Sequence, residues 1–416
     1  MAYKSLAKTF YMDSSSERFA HLEQLAHTRM HSESSFRTDI ESDAGEFFLA
    51  VPRELSVLNE VILRQERQVS LALSELPLIA QGALIRSLVI DEVVCTNELE
   101  GIHSTRRQIN DLLEHDLVSS RDIEHKRFRE LARLYLELTG SDRRLPQTPE
   151  DIRHIYDRVM QGENLGNDTP DGIPFRKDGV EVIGRGSRVL HTGLAPESKI
   201  ISAVGRMVNL ATSADIPETY SAIVSHFLFE YIHPFYDGNG RTGRYLLALY
   251  LSRPLSTLTA LSLSRTIAEN KNPYYRAFKE AEDPLNHGEL TSFVLDILGY
   301  ISTAQSRVLT DLERKRMQFS TLTTTLHELE KELDLKPKES ELVFLLAQYA
   351  LFGAFPDLQL SIASEYLQRG QQMLVRYADR LQALNLVETV SKRPRRIMLT
   401  EYACALLHID GSCEAL

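Results

Sequence analysis

The chain contains no tryptophan, and only three of its 416 residues are cysteine. Cys95, Cys404 and Cys413 are too few and too scattered for a disulfide framework or a four-ligand zinc site, a pattern that points to the reducing cytosol. An excess of positive charge is also missing: 58 acidic against 47 basic residues leave a formal net charge of −11. That excludes a surface that clings everywhere to nucleic acid or to anionic membrane, while leaving room for a local basic patch. No apolar run reaches the roughly 18–20 residues of a bilayer span; the longest, LVFLLAQYALFGAF from Leu342 to Phe355, suits a buried helix. The start, MAYKSLAKTFYMDSSSERF, has no apolar core of a secretory signal, and Asp13 and Glu17 do not suit a transit peptide. What is present is a globular composition, 43% hydrophobic and 25% charged, in a chain long enough for two to three domains of about 150 residues each.

Residues 1–45 are rich in Ser and charge with weak periodicity, and read as an arm or loosely packed extension. Helical spacing begins after Pro52, with Leu55, Leu58, Val61, Ile62 and Leu63 on nearby turns. Further helices are expected from about Ala83 to a C-cap at Gly101, through 124–140, and over 149–162. Between Asn164 and Pro196 the texture changes, and GVEVIGRGSRVLH reads as two short strands around a Gly184–Gly186 turn. Helices resume over 198–213, 221–232 and 244–252, and a long one is expected from Phe293 to Arg316. Leu322, Leu326, Leu329 and Leu333 then form a stripe at steps of four and three, expected as intrachain core. The charged stretch 328–341 reads as a domain boundary. Beyond it, LSIASEYLQRGQQMLVRYADRL has helix–turn–helix texture and SKRPRRIMLTE reads as a turn between strands, together suggesting a winged helix.

One segment concentrates chemistry: His233-Pro-Phe-Tyr-Asp237-Gly-Asn239-Gly-Arg241-Thr-Gly-Arg244. It lies between two apolar helical patterns, and Pro234 stops the first because it disfavours the α conformation in the residue before it. Gly238 and Gly240, without side chains, let backbone N–H groups approach an anion, and the following helix presents its N-terminus to the same place. Arg241 and Arg244 are three residues apart and so share a face of that helix, aimed at the anion. Asp237 is suited to Mg²⁺ bridged to phosphate, and His233 to accepting a hydroxyl proton. These are the parts for attack of a hydroxyl on a nucleotide phosphate. A competing pattern, His226-x3-Glu230-x2-His233, places three metal-ligand types on one helical face; two arginines nearby speak against a cation there.

HPFYDGNGRTGR resembles the active-site motif of the Fic family at every fixed position, and SHFLFEYI resembles its lead-in. GIPFRKDGVEVIG resembles the family's GxxR segment and β-hairpin flap, so the likeness covers roughly residues 50–310. The resemblance implies a mainly α fold: a Fic helical core with a β-hairpin flap, plus the C-terminal winged-helix (α+β) domain. The expected parts are an N-terminal extension (1–45), a helical region (46–150), the catalytic core (151–320) and the winged-helix-like domain (335–416). It implies transfer of AMP from ATP to a Ser, Thr or Tyr hydroxyl of a target protein, with His233 as base and Asp237 holding Mg²⁺. Gly238, Asn239 and Gly240 would cradle the phosphates, Arg241 and Arg244 would hold the outer ones, and Phe235 would anchor the loop in the core. Tyr274 and Tyr275 in NPYYRAF match a family pair near the adenine, with helix packing as the plain alternative. The target protein would dock at the flap, about residues 181–191, by β-augmentation. The family also includes enzymes that remove AMP or move a phosphate, UMP or phosphocholine, and these stay open here, as does a homodimer.

Upstream, Thr96-Asn-Glu-Leu-Glu100-Gly101 fits the family's inhibitory pattern [S/T]xxxE[G/N]. Thr96 and Glu100 share a helix face, and the resemblance implies that Glu100 pairs with Arg244 and occupies the guanidinium that would hold the γ-phosphate. The 361–400 region reverses the overall charge: Arg369, Arg376, Arg380, Lys392, Arg393, Arg395 and Arg396 stand against Glu365, Asp379 and Glu388, a net of +4. Four of those cations fall in KRPRR, where a wing would meet DNA phosphates; a protein-docking surface is the alternative.

Overall fold

A computed structural model describes residues 3–118, 127–140, 143–183 and 189–409. The Gly184–Gly186 turn, Cys413 and the first residues of the helix expected over 124–140 lie outside the described residues. Among the described residues the chain is mainly helical, with three small antiparallel sheets.

The N-terminal segment departs from expectation. Instead of a loose arm it forms α1 (Leu6–Met12), α2 (Arg18–Met30) and a hairpin of β1 (Ser35–Ser42) and β2 (Gly45–Ala50). Leu6, Phe10, Leu22 and Ala26 make a small core of their own. Arg29 pairs with the buried Glu289 at 2.8 Å, and Phe48 exchanges backbone hydrogen bonds with the 288–290 segment. The partners lie some 240–260 positions downstream, so no local periodicity announces this packing.

Next come α3 (Arg53–Ser74), α4 (Leu78–Leu99), α5 (Arg106–Val118), α6 (Arg129–Glu137) and α7 (Pro149–Val159). Thr148 caps α7 in a reciprocal box with Asp151, with Pro149 in its first turn. Gly101 follows α4 in the left-handed region, at φ +71°. β3 (Glu181–Ile183) and β4 (Val189–Thr192) pair antiparallel, Val182 opposite His191. After them run α8 (Glu197–Thr212), α9 (Glu218–Ile232), α10 (Asn239–Leu251), the short α11 (Thr257–Ala260) and α12 (Leu263–Glu269), and α13 (Lys271–Ala281). α9 and α10 are buried nearly all round, as central core helices must be.

The helix expected over 293–316 continues through the leucine stripe as α14 (Thr291–Glu332), 42 residues long. Leu322, Leu326 and Leu329 of that stripe are buried within the chain. The C-terminal region is built from α15 (Pro337–Phe352), β5 (Leu358–Gln359), α16 (Leu360–Leu367), α17 (Gln371–Ala383), β6 (Val387–Lys392), β7 (Arg395–Leu399) and α18 (Glu401–Leu406), with sheet order β5-β7-β6.

Two compact units emerge, neither continuous in sequence. The first contains residues 1–67, 95–103 and 137–305; the second contains 68–94, 104–136 and 306–416. The first holds the 233–244 segment together with the end of α4; the second holds the C-terminal strands. No helix among the described residues is long and apolar enough to cross a membrane.

Candidate active site

α9 ends because His233 takes the left-handed conformation, φ 51° and ψ 61°, and Pro234 follows. Its N–H still bonds to Phe229 O at 3.0 Å. A left-handed non-glycine residue is uncommon, and Arg176 holds this one in place. The Arg176 guanidinium is fully buried and donates to His233 O at 2.9 Å, to Leu194 O at 2.8 Å and to Asp178 O, while its backbone N–H reaches Pro234 O. Phe235 is fully buried, stacked on Tyr156 with centroids 3.6 Å apart and edge-on to Phe175. Asn239 closes the loop from the other side, accepting from Phe235 N at 3.0 Å and donating to Phe235 O at 2.8 Å. Its side chain is therefore spent on the loop, and it can serve an anion only through its backbone.

His233 Nδ1 faces Glu230 O at 3.2 Å, so this nitrogen carries the proton and Nε2 is the basic one. Burial, helped by the neighbouring His191 and Arg176, lowers the imidazole to about 4. At neutral pH the ring is uncharged. His191 itself bridges Glu282 and Tyr231 O, at 2.7 Å each, from β4.

Gly238, at φ 79°, precedes α10 in a conformation that suits glycine, and a Cβ there would meet Met160 Sδ at 2.4 Å. The first turn of α10 presents its backbone N–H groups and dipole where Gly240 leaves the surface bare. That place is taken: a Cβ on Gly240 would meet Glu100 Oε1 at 2.1 Å. Glu100, at the end of α4, accepts from Arg244 Nη2 at 2.6 Å. Thr96 completes the clasp, accepting from Arg244 Nε through its hydroxyl at 2.8 Å and from Nη2 through its carbonyl at 3.0 Å. Burial alone would lower the Arg244 guanidinium; the Glu100 carboxylate overcomes this and holds it up. Burial pushes the neighbouring Glu230 carboxyl up to about 8, against the pull of Arg244 and aided by Glu100. Glu100 is thus the acid that balances the charge of Arg244.

Arg241 has a different partner. It is buried and pairs with Glu163 at 2.5 Å, with its Nε atom left without a hydrogen bond. Asp237 is exposed; one oxygen takes the Gly238 N–H at 2.6 Å. A lone accessible carboxylate beside a helix N-terminus is a donor set that Mg²⁺ shares with a polyphosphate, so the residue fits that ion. The His226–Glu230–His233 pattern does not gather as metal ligands. His226 is fully bonded to Gly243 O at 3.1 Å and Tyr274 OH at 2.8 Å, and no cluster of three or more ligand side chains occurs among the described residues.

Tyr274 is 1% exposed, and its ring belongs to the core beside Phe278. Tyr275 is 42% exposed and donates to Leu99 O at 3.1 Å, next to Lys271 Nζ, which reaches the same carbonyl at 2.8 Å. Of the pair, Tyr275 alone offers a ring surface to a ligand.

Residues 146–251 match the Fic/DOC family. Residues 146–251 are a Fic domain. A probable protein adenylyltransferase of Aquifex aeolicus is 27% identical over 203 residues, 47% of this chain and 56% of that protein. The protein adenylyltransferase Fic of Drosophila yakuba is 29% identical over 148 residues, 35% of this chain. The chain spans about half the length of the first of these relatives and 26% of the second. Among solved structures, a Fic family protein from Desulfovibrio desulfuricans G20 aligns with TM-score 0.47 at 18% identity, covering 82% of this chain and 96% of that one. Fic-1 (residues 134–508) of C. elegans aligns with TM-score 0.45 at 19% identity, covering 74% and 81%.

The Fic motif brings His233, Asp237, Gly238 and Gly240 to one loop–helix junction, with Thr96, Glu100 and Arg244 meeting beside it. Two contributors escaped the reading of the sequence. Arg176 sits inside GIPFRKDGVEVIG, a segment matched to the GxxR segment and the flap, but its guanidinium was given no part in supporting His233. Glu163 had no signal, because an acidic residue beyond a helix end is ordinary.

Proposed function

We propose that the Fic domain transfers AMP from ATP to a Ser, Thr or Tyr hydroxyl of a target protein, and that Glu100 holds the reaction back. The observation that carries this reading is the placement of Glu100 on Gly240 and Arg244, the position that an outer phosphate of ATP would take. In the transfer, His233 Nε2 takes the proton of the target hydroxyl. The hydroxyl oxygen bonds to the α-phosphorus, and pyrophosphate departs with the electron pair of the broken P–O bond. The N–H groups at the start of α10 and the two arginines bind the charge of the outer phosphates. Asp237 would hold Mg²⁺, which would offset further charge. Tyr275 offers a ring for the adenine, and the β3–β4 hairpin offers a strand edge for the target segment. The reducing, ATP-containing cytosol suits the few cysteines and this substrate.

A charge-assisted hydrogen bond contributes about 1.5–3 kcal/mol, so removing the carboxylate is expected to raise transfer roughly 10–100-fold. Glu100→Gly incubated with labelled ATP and Mg²⁺ should therefore label itself or a target far faster than the parent chain. His233→Ala in the same background should lose roughly 10²–10⁴-fold. Intact-mass measurement identifies the group: a gain of AMP supports the reading, and a gain of phosphate, UMP or phosphocholine overturns it. Equal labelling with and without Glu100 would remove the brake from the account.

A further inference from the structure

α15, β5, α16, α17, β6 and β7 follow one another as helix, strand, helix, helix, strand, strand, with β7 between β5 and β6. α16 and α17 are separated by a tight turn, Gln368 at φ 49° followed by Arg369 and Gly370. α17 buries Leu374, Ala378 and Leu381 along one side. The opposite side therefore presents Gln372, Arg376 and Asp379, all exposed, with Gln371 exposed at its first turn.

The hairpin beside α17 is fastened to it. Arg395 at the start of β7 pairs with Asp379 at 2.7 Å, and Thr389 of β6 donates to Gln382 at 3.2 Å. The first contact balances the acid on the outward face. The hairpin tip carries the exposed Lys392 and Arg393. Of the remaining exposed acids, Glu388 stands opposite Met398, towards the base of the hairpin, and Glu365 is on α16. The exposed cations Arg369, Arg376, Lys392 and Arg393 thus surround a helix whose first turns carry two glutamines.

KRPRR is not the uniform phosphate-binding tract that its sequence suggests. Arg396 is 8% exposed and is held by Glu114 and by Asp357, while Arg107 binds the other side of Asp357 at 3.0 Å. Arg395 is used by Asp379. Lys392 and Arg393 are the residues of the tract whose charge faces solvent.

We propose that this region is a winged helix that binds duplex DNA, with α17 entering the major groove and Lys392 and Arg393 touching the phosphate backbone. The dimensions and chemistry agree: the major groove admits one helix, Gln and Arg read adenine and guanine edges, and a flanking basic hairpin reaches phosphates. Two phosphate contacts from Lys392 and Arg393, with up to two more from the exposed Arg369 and Arg376, predict a slope of about −2 to −4 for log affinity against log salt concentration.

The test uses the full chain with a labelled mixed-sequence duplex, measuring retention as salt rises. The parent should bind at low salt with the slope above. Lys392→Ala with Arg393→Ala should bind more weakly, with the slope shallower by about 2, while its melting temperature stays that of the parent. Gln372→Ala should leave the slope alone and relax the preference among duplexes selected from a random pool. Failure of the parent chain to shift duplex at low salt overturns the proposal and assigns the face to a protein partner. An unchanged slope in the double variant also overturns it. AMP transfer is read in a separate assay, so either activity can fail without the other.

Discussion

At the scale of single residues, the proposed transfer depends on the state of His233. An ordinary imidazole titrates near 6.5, and below that value a histidine base is lost to protonation. Here burial lowers the ring to about 4. A depressed value means that the neutral, proton-accepting form persists as pH falls from 7 through the usual range. The acid limb of the rate profile in Glu100→Gly should accordingly lie well below 6.5. Loss of Glu100 moves it lower still, because that carboxylate favours the imidazolium. A limb at 6.5, measured by initial rates of AMP transfer from pH 4 to 8, would contradict the burial of the ring. That His233, Asp237 and the glycines meet at one loop–helix junction was legible in the sequence because the motif is short and its parts are neighbours. The partner of Arg241 was not, because Glu163 lies 78 positions away on another segment.

At the scale of elements, the loop from α9 to α10 is held by side chains bonded to backbone groups. Arg176 binds three backbone carbonyls through its guanidinium, and Asn239 binds both polar groups of Phe235. Removing a buried guanidinium leaves those carbonyls unsatisfied, at about 1–3 kcal/mol each before water enters. Arg176→Ala should lower unfolding stability by roughly 2–5 kcal/mol in denaturant titration, several such groups being affected at once. In the surviving folded fraction the rate of AMP transfer should fall while ATP affinity holds, since the guanidinium positions His233 and not the phosphates. Arg176→Lys should restore little, because an ammonium does not reproduce the planar fork. Helices were readable from spacing and caps: α7 starts at Pro149 as expected, and α4 has its glycine stop at 101. The β1–β2 hairpin and the first two helices were not, because they are specified by Glu289, Asn286 and the 288–290 backbone, far along the chain.

At the scale of the molecule, each unit is assembled from distant stretches of chain, and buried charge marks where they close. Glu114 of α5, Asp357 before β5, Arg107 and Arg396 form one such closure inside the second unit. Breaking a buried pair from one side leaves charge without a partner, typically at 3–5 kcal/mol. Arg396→Ala should therefore destabilise that unit by about this amount, seen as an earlier denaturant midpoint. A loss of DNA affinity with unchanged stability would show instead that Arg396 reaches the duplex. The sequence showed a run of cations and could not show which of them were already satisfied; that depends on Glu114, 282 positions upstream. The mainly helical class and the Fic core were readable; the discontinuous division of the chain was not.

The carboxylate of Glu100 lies where a side chain at position 240 would have to be, so under the proposed function the bare Gly240 would serve both the inhibiting carboxylate and the nucleotide. In this respect α4 is a competitor on a tether. Under that reading its strength as a brake would depend on its local concentration at α10, which for short flexible linkers reaches the millimolar range, as much as on the bond to Arg244. Fraying the last turn of α4, where Leu99 O is fastened by Tyr275 and Lys271, dilutes that competitor. If the proposed brake operates, a change remote from the reacting atoms would tune transfer continuously, without altering any group assigned to ATP.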